Sequence, residues 1–66
     1  MLVTVNGESR DVTADLTIGE LIKQLALNPK TVVAQRNGEI VPRESFHAVR
    51  LSEGDEVDIV RFVGGG

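Results

Sequence analysis

Residues 17–25 hold the feature that most restricts how this chain can fold. Ile18, Leu21, Ile22 and Leu25 fall at i, i+3, i+4 and i+7, and Glu20, Lys23 and Gln24 take the opposite side. Thr17 followed three positions later by Glu20 is a capping box, so the spacing predicts a helix that starts at Thr17. Leu27-Asn28-Pro29 is expected to end it, because proline disfavours helix in the residue before it. The result is one short amphipathic helix with one face to bury, which is most simply laid across a β-sheet.

The flanking sequence supplies that sheet. Met1-Leu2-Val3-Thr4-Val5 alternates and is β-branched, and Asn6-Gly7 suits a tight hairpin turn with positive φ. We expect Met1, Val3 and Val5 on the core side and a second strand over about 9–13 with Val12 buried. Thr31-Val32-Val33-Ala34-Gln35 reads as a central strand of ambiguous parity. Asn37-Gly38 then turns into a short strand Glu39-Ile40-Val41 that Pro42 stops. Arg43 to Ser45 forms a loop or one helical turn with Phe46 as a plug, and His47 to Leu51 offers another short strand. After a turn at Ser52-Glu53-Gly54-Asp55, the last strand, Glu56 to Val60, turns Val57 and Ile59 inward. This is an α+β domain with a mixed four- to five-stranded sheet, one helix packed across it, and the first and last strands side by side at the centre.

Val60 and Phe62 have the opposite parity to Val57 and Ile59, which puts them on the helix-free face. They are either singly exposed apolar residues, ordinary on a small domain, or, with Val63, a docking surface for a partner. The chain then runs out in Val63-Gly64-Gly65-Gly66. Three successive glycines cannot pack a core and make a segment thin enough for a channel that any side chain would block. Extended, the four residues reach roughly 13 Å. They are either a frayed end or a means of delivering the Gly66 carboxylate into another protein's active site. We divide the chain into a domain over 1–62 and a flexible C-terminal tail over 63–66.

Composition narrows the chemistry. The 66 residues contain no cysteine, which excludes disulfides, thiolate zinc sites and a cysteine nucleophile. A net charge of −3 and the absence of Trp and Tyr argue against nucleic acid and for a partner that offers basic groups. No segment is long enough to span a membrane, and the chain reads as soluble and cytoplasmic. Ser45 and His47 would share a face in a strand, but nothing supplies a third group or an oxyanion site. Glu53, Asp55, Glu56 and Asp58 lack calcium-loop spacing and read as a solvated acidic face. With no catalytic set, no metal site and no bound cofactor expected, the chain reads as a substrate or carrier. A carboxylate is a poor electrophile, so a carrier using Gly66 needs a separate activating enzyme, for instance one that forms a mixed anhydride with a nucleotide.

The element order with terminal glycines resembles the ubiquitin-like β-grasp carriers. Within them the segment Asn37-Gly38-Glu39-Ile40-Val41-Pro42-Arg43, Phe46, Glu53-Gly54-Asp55 and Phe62-Val63-Gly64-Gly65-Gly66 make the chain similar to the ThiS-like family of sulfur carriers in thiamine thiazole synthesis. The resemblance implies that an E1-like adenylyltransferase uses ATP to adenylate Gly66. A sulfur-donor enzyme converts it to a thiocarboxylate, and a thiazole synthase accepts the sulfur. It also implies that Gly64 and Gly65 thread the partners' channels. Other readings are a sulfur carrier for molybdopterin, cysteine or methionine assembly or tRNA thiolation, a ubiquitin-like protein modifier, and an interaction module with an inert tail.

Overall fold

The computed structural model describes residues 1–62. Strands β1 (Leu2–Val5), β2 (Glu8–Asp11), β3 (Val32–Arg36), β4 (Glu39–Val41) and β5 (Glu56–Arg61) form one mixed sheet in the order β2-β1-β5-β3-β4. Helix α1 (Ile18–Gln24) is joined to β3 through a 3-10 turn at Pro29–Thr31, and a second such turn, Arg43–Ser45, follows β4. β5 takes the middle of the sheet, parallel to β1 and antiparallel to β3. This is the ubiquitin-like β-grasp arrangement, with the first and last strands adjacent as their alternation predicts.

Burial follows the two periodicities. Val3, Val5, Val57, Ile59, Val32, Ala34 and Val41 form the inner sheet face, and Ile18, Leu21 and Ile22 of α1 are completely enclosed. Phe46 plugs one end of this core at 5% exposure, and Val12, Leu16 and Leu51 are buried beside it. Met1 and Leu25 pack at its margin, only partly buried. The parity of β3, ambiguous in the sequence, is set by register. The Asn37-Gly38 turn pairs Arg36 with Glu39, and hence Ala34 with inward-facing Val41.

The capping box forms: Glu20 N–H donates to Thr17 Oγ1 at 3.1 Å and Thr17 N–H donates back to Glu20 Oε1 at 2.9 Å. The backbone bond from Thr17, then the one from its hydroxyl, holds the Glu20 carboxyl below the usual carboxylate range.

Several expectations need correction. α1 stops at Gln24, before Pro29 can act, because Ala26 adopts the left-handed conformation with φ 59°. Leu27 N–H then bonds to Ile22 O and Ala26 N–H to Lys23 O, which is a Schellman cap with alanine where glycine is usual. The second strand is Glu8–Asp11, fully exposed, and Val12 is buried just beyond it. His47 to Leu51 is no strand. Ala48 and Val49 N–H groups both fold back onto Ser45 O, leaving only an isolated bridge between Thr17 and Arg50.

Candidate functional site

The site is the end of β5, and its placement starts with the two Asn-Gly turns. Asn6 and Asn37 both sit at positive φ, as tight hairpin turns require. Each also reaches sideways to β5. Asn6 N–H donates to Val57 O at 2.9 Å, and its Oδ1 accepts from Ile59 N–H at 2.8 Å. From the other side Asn37 N–H donates to Glu56 O at 2.7 Å, and its Oδ1 accepts from Glu56 N–H at 2.9 Å. Both hairpins thus grip β5 through side chains that stand in for ladder carbonyls, and the strand that leads to residues 63–66 is held on both flanks.

A buried carboxylate secures the second grip. Asp55 is 7% exposed, and its Oδ2 accepts from Arg36 Nε at 2.8 Å and from Ser52 N–H at 2.8 Å. Its Oδ1 accepts from Asn37 Nδ2 at 3.1 Å. Burial pushes this carboxyl up, but the Ser52 amide, Arg36 and Asn37 outweigh it, so Asp55 titrates below the usual range. The acidic run Glu53, Asp55, Glu56 and Asp58 is therefore not uniformly solvated. Asp55 faces in because the turn at Ser52, with Gly54 at φ 82°, aims it at Arg36 and Asn37.

Val60 and Phe62 lie on the outer, helix-free side at 62% and 49% exposure. Register adds two residues that sequence reasoning missed. Val33 stands directly opposite Val60, and Ile40, 65% exposed, sits diagonally across β3 beside Gln35. The signal was available in the two-residue Asn37-Gly38 turn, which fixes the β3–β4 register and so places Ile40 outward. Toward the start of β5 the same face becomes polar, with Thr4 opposite Glu56 and Gln35 opposite Asp58. Along β5 the outer face thus runs from acidic at Glu56 and Asp58 to apolar at Val60 and Phe62. Val63, Gly64, Gly65 and Gly66 lie outside the described residues.

Ser45 ends a 3-10 turn half-buried while His47 is exposed, and among the described residues no hydrogen bond joins them. Among these residues no cluster of three or more His, Asp or Glu could hold a metal ion. No helix is long and apolar enough to cross a membrane.

A five-stranded mixed sheet in the order β2-β1-β5-β3-β4 with one helix packed across it places the chain among the ubiquitin-like β-grasp proteins. The family model described as ThiS family matches residues 3–66, and the chain belongs to that family. It is 44% identical over 50 residues to the sulfur carrier protein ThiS of Bacillus subtilis, covering 76% of each chain. The crystal structure of the thiamine biosynthesis protein ThiS from Geobacter metallireducens superposes with a TM-score of 0.86 at 36% identity, over 100% of both chains. The whole chain is also 39% identical over 66 residues to a thiazole synthase of Paramagnetospirillum magneticum, of which it spans only 20%.

Proposed function

We propose that this chain is the sulfur carrier of thiamine biosynthesis, a co-substrate and not an enzyme. The observation that carries the reading is the ThiS family match over residues 3–66, which includes the glycine terminus. An E1-like adenylyltransferase uses ATP to convert the Gly66 carboxylate into an acyl adenylate. Sulfide delivered by a donor enzyme attacks the acyl carbon and displaces AMP to leave a thiocarboxylate, and a thiazole synthase takes up that sulfur. The adenylate supplies the leaving group that a carboxylate lacks, and a thiocarboxylate carries sulfide without needing a cysteine. ATP is used on the activating partner, and the carrier binds no cofactor or metal.

Gly64 and Gly65 fill the channels of both partners, with Val60, Phe62 and Val63 seated on the rims. Two observations support this. β5 leads to residues 63–66 from a position held on both sides, and the sheet's outer face presents Val33, Val60 and Phe62 near the last described residue. The thiazole synthase is supported as a partner by the relatives of that name, which contain a segment similar to this whole chain. The test of threading is Gly65→Leu. The fold should be unchanged, read by circular dichroism, and ATP-dependent adenylation should fall by at least roughly a hundredfold, as expected when about 3 kcal/mol of activation is lost. Adenylation at the parent rate would remove the channel from the mechanism.

A further inference from the structure

β5 outruns β1, and its last residues present an open hydrogen-bonding edge. Phe62 N–H donates to Thr31 O at 2.8 Å and Asn37 N–H donates to Glu56 O at 2.7 Å, which brackets the β3–β5 ladder. Bonded and non-bonded pairs alternate in an antiparallel ladder. Val57, Ile59 and Arg61 therefore turn their N–H and C=O groups away from β3, toward β1. β1 meets only the beginning of β5, with Thr4 beside Glu56 and Val5 beside Val57. The Asn6 backbone and side chain extend this contact to Val57 O and Ile59 N–H, and the chain then turns away through Gly7 into β2. Among the described residues, Ile59 C=O, Arg61 N–H and Arg61 C=O have no partner.

We propose that this edge receives an extended segment of the thiazole synthase as an added β-strand, which deepens the partner reading given above and rests on it. Acceptor, donor and acceptor follow one another along an extended strand, and the complement is another extended backbone. The place where the strand adds lies beside Val60 and Phe62 at the base of the tail. Arg61 is exposed and makes no ion pair among the described residues, so the arriving segment fits best with an acidic residue opposite it. A second copy of this chain fits poorly. A two-fold pairing centred on Arg61 sets two guanidinium groups face to face, between chains that each carry −3.

The test separates backbone from side chain. Arg61→Pro removes the N–H that faces the open edge together with the side chain and leaves the β3 ladder intact, a place where a strand tolerates proline. Arg61→Ala removes the side chain and keeps the N–H. Binding of each variant to purified thiazole synthase from the same organism is measured by calorimetry. The expected result is a loss of roughly tenfold for Arg61→Pro beyond any loss in Arg61→Ala. In the parent chain, amide exchange at Arg61 should slow on complex formation, a readout that does not depend on how the proline variant folds. Equal affinities for the two variants, or unchanged Arg61 exchange in the complex, would overturn the added strand and leave the partner standing. Failure of the parent chain to bind thiazole synthase at all would overturn both.

Discussion

Asp55→Asn tests the account of how β5 is held. The substitution keeps the size of the side chain but leaves one acceptor oxygen. Placed at Oδ2, that oxygen can still accept from Arg36 Nε and Ser52 N–H. The new NH2 then faces Asn37 Nδ2, donor against donor. Asn37 cannot flip to relieve this without giving up the bond from Glu56 N–H to its Oδ1. One charge-assisted bond is lost, the Ser52 bond becomes neutral, and the Arg36 bond keeps its charged donor but loses the anionic acceptor. With charged bonds at ~1.5–3 kcal/mol and neutral ones near 1, the cost is about 3 kcal/mol. The Arg36 side chain is 34% exposed, so water recovers part of its share and the upper end is not reached. A domain of this length has roughly 3–10 kcal/mol in total, so the urea midpoint at pH 7 should fall steeply.

Acid supplies the control for Asp55→Asn. The folded-state pKa of Asp55 lies below its unfolded value of about 3.9. Its stabilisation is therefore complete above that value and is lost as pH falls through the folded one. Protonated Asp55 resembles Asn, so the gap between parent and variant should narrow as pH falls below the unfolded value and through the lowered folded one. A variant within about 0.5 kcal/mol of the parent at pH 7, or a gap indifferent to pH, would refute the reasoning, since ordinary surface substitutions fall in that range.

Ala26→Gly should stabilise the domain by about 0.5–1 kcal/mol, because glycine relieves the left-handed strain at the end of α1 by more than its added unfolded-state entropy costs; a lower melting temperature would show that the Ala26 methyl does more than strain the cap. Leu21→Ala empties a fully enclosed position and should cost roughly 2–5 kcal/mol by chemical denaturation. A small loss would mean that the core collapses around the gap. Phe62→Ala should change stability by less than about 1 kcal/mol, since Phe62 is 49% exposed, while binding to the thiazole synthase weakens about tenfold or more. A large stability loss with unchanged binding would make Phe62 a core residue and remove it from the docking face.

Local chemistry carried much of this fold in the sequence. The capping box placed the start of α1, both Asn-Gly pairs marked the hairpins, and strict alternation at Val57, Ile59 and Val60 set the faces of β5. What could not be read locally depends on partners distant in sequence. Asp55 looks like one more charge in an acidic run until the turn at Ser52 brings it to Arg36 and Asn37. The side chains of Asn6 and Asn37 look like turn-formers until β5, some fifty and twenty residues away, supplies the amides they accept from. Alanine gives no warning that it will take a left-handed cap position, so the sequence points to Pro29 for the helix end instead. The exposed positions of Val60 and Phe62 followed from parity alone, whereas Val33 and Ile40 required the register of three strands.

The most direct test of the carrier reading is the intact mass of the protein after incubation with ATP, an E1-like adenylyltransferase and a sulfur donor. One oxygen of Gly66 should be replaced by sulfur, a change that is absent when ATP is withheld or Gly66 is removed and is reversed when a thiazole synthase turns over. An unchanged mass in the presence of a competent adenylyltransferase and donor would contradict it, and would leave the glycine terminus without a chemical role.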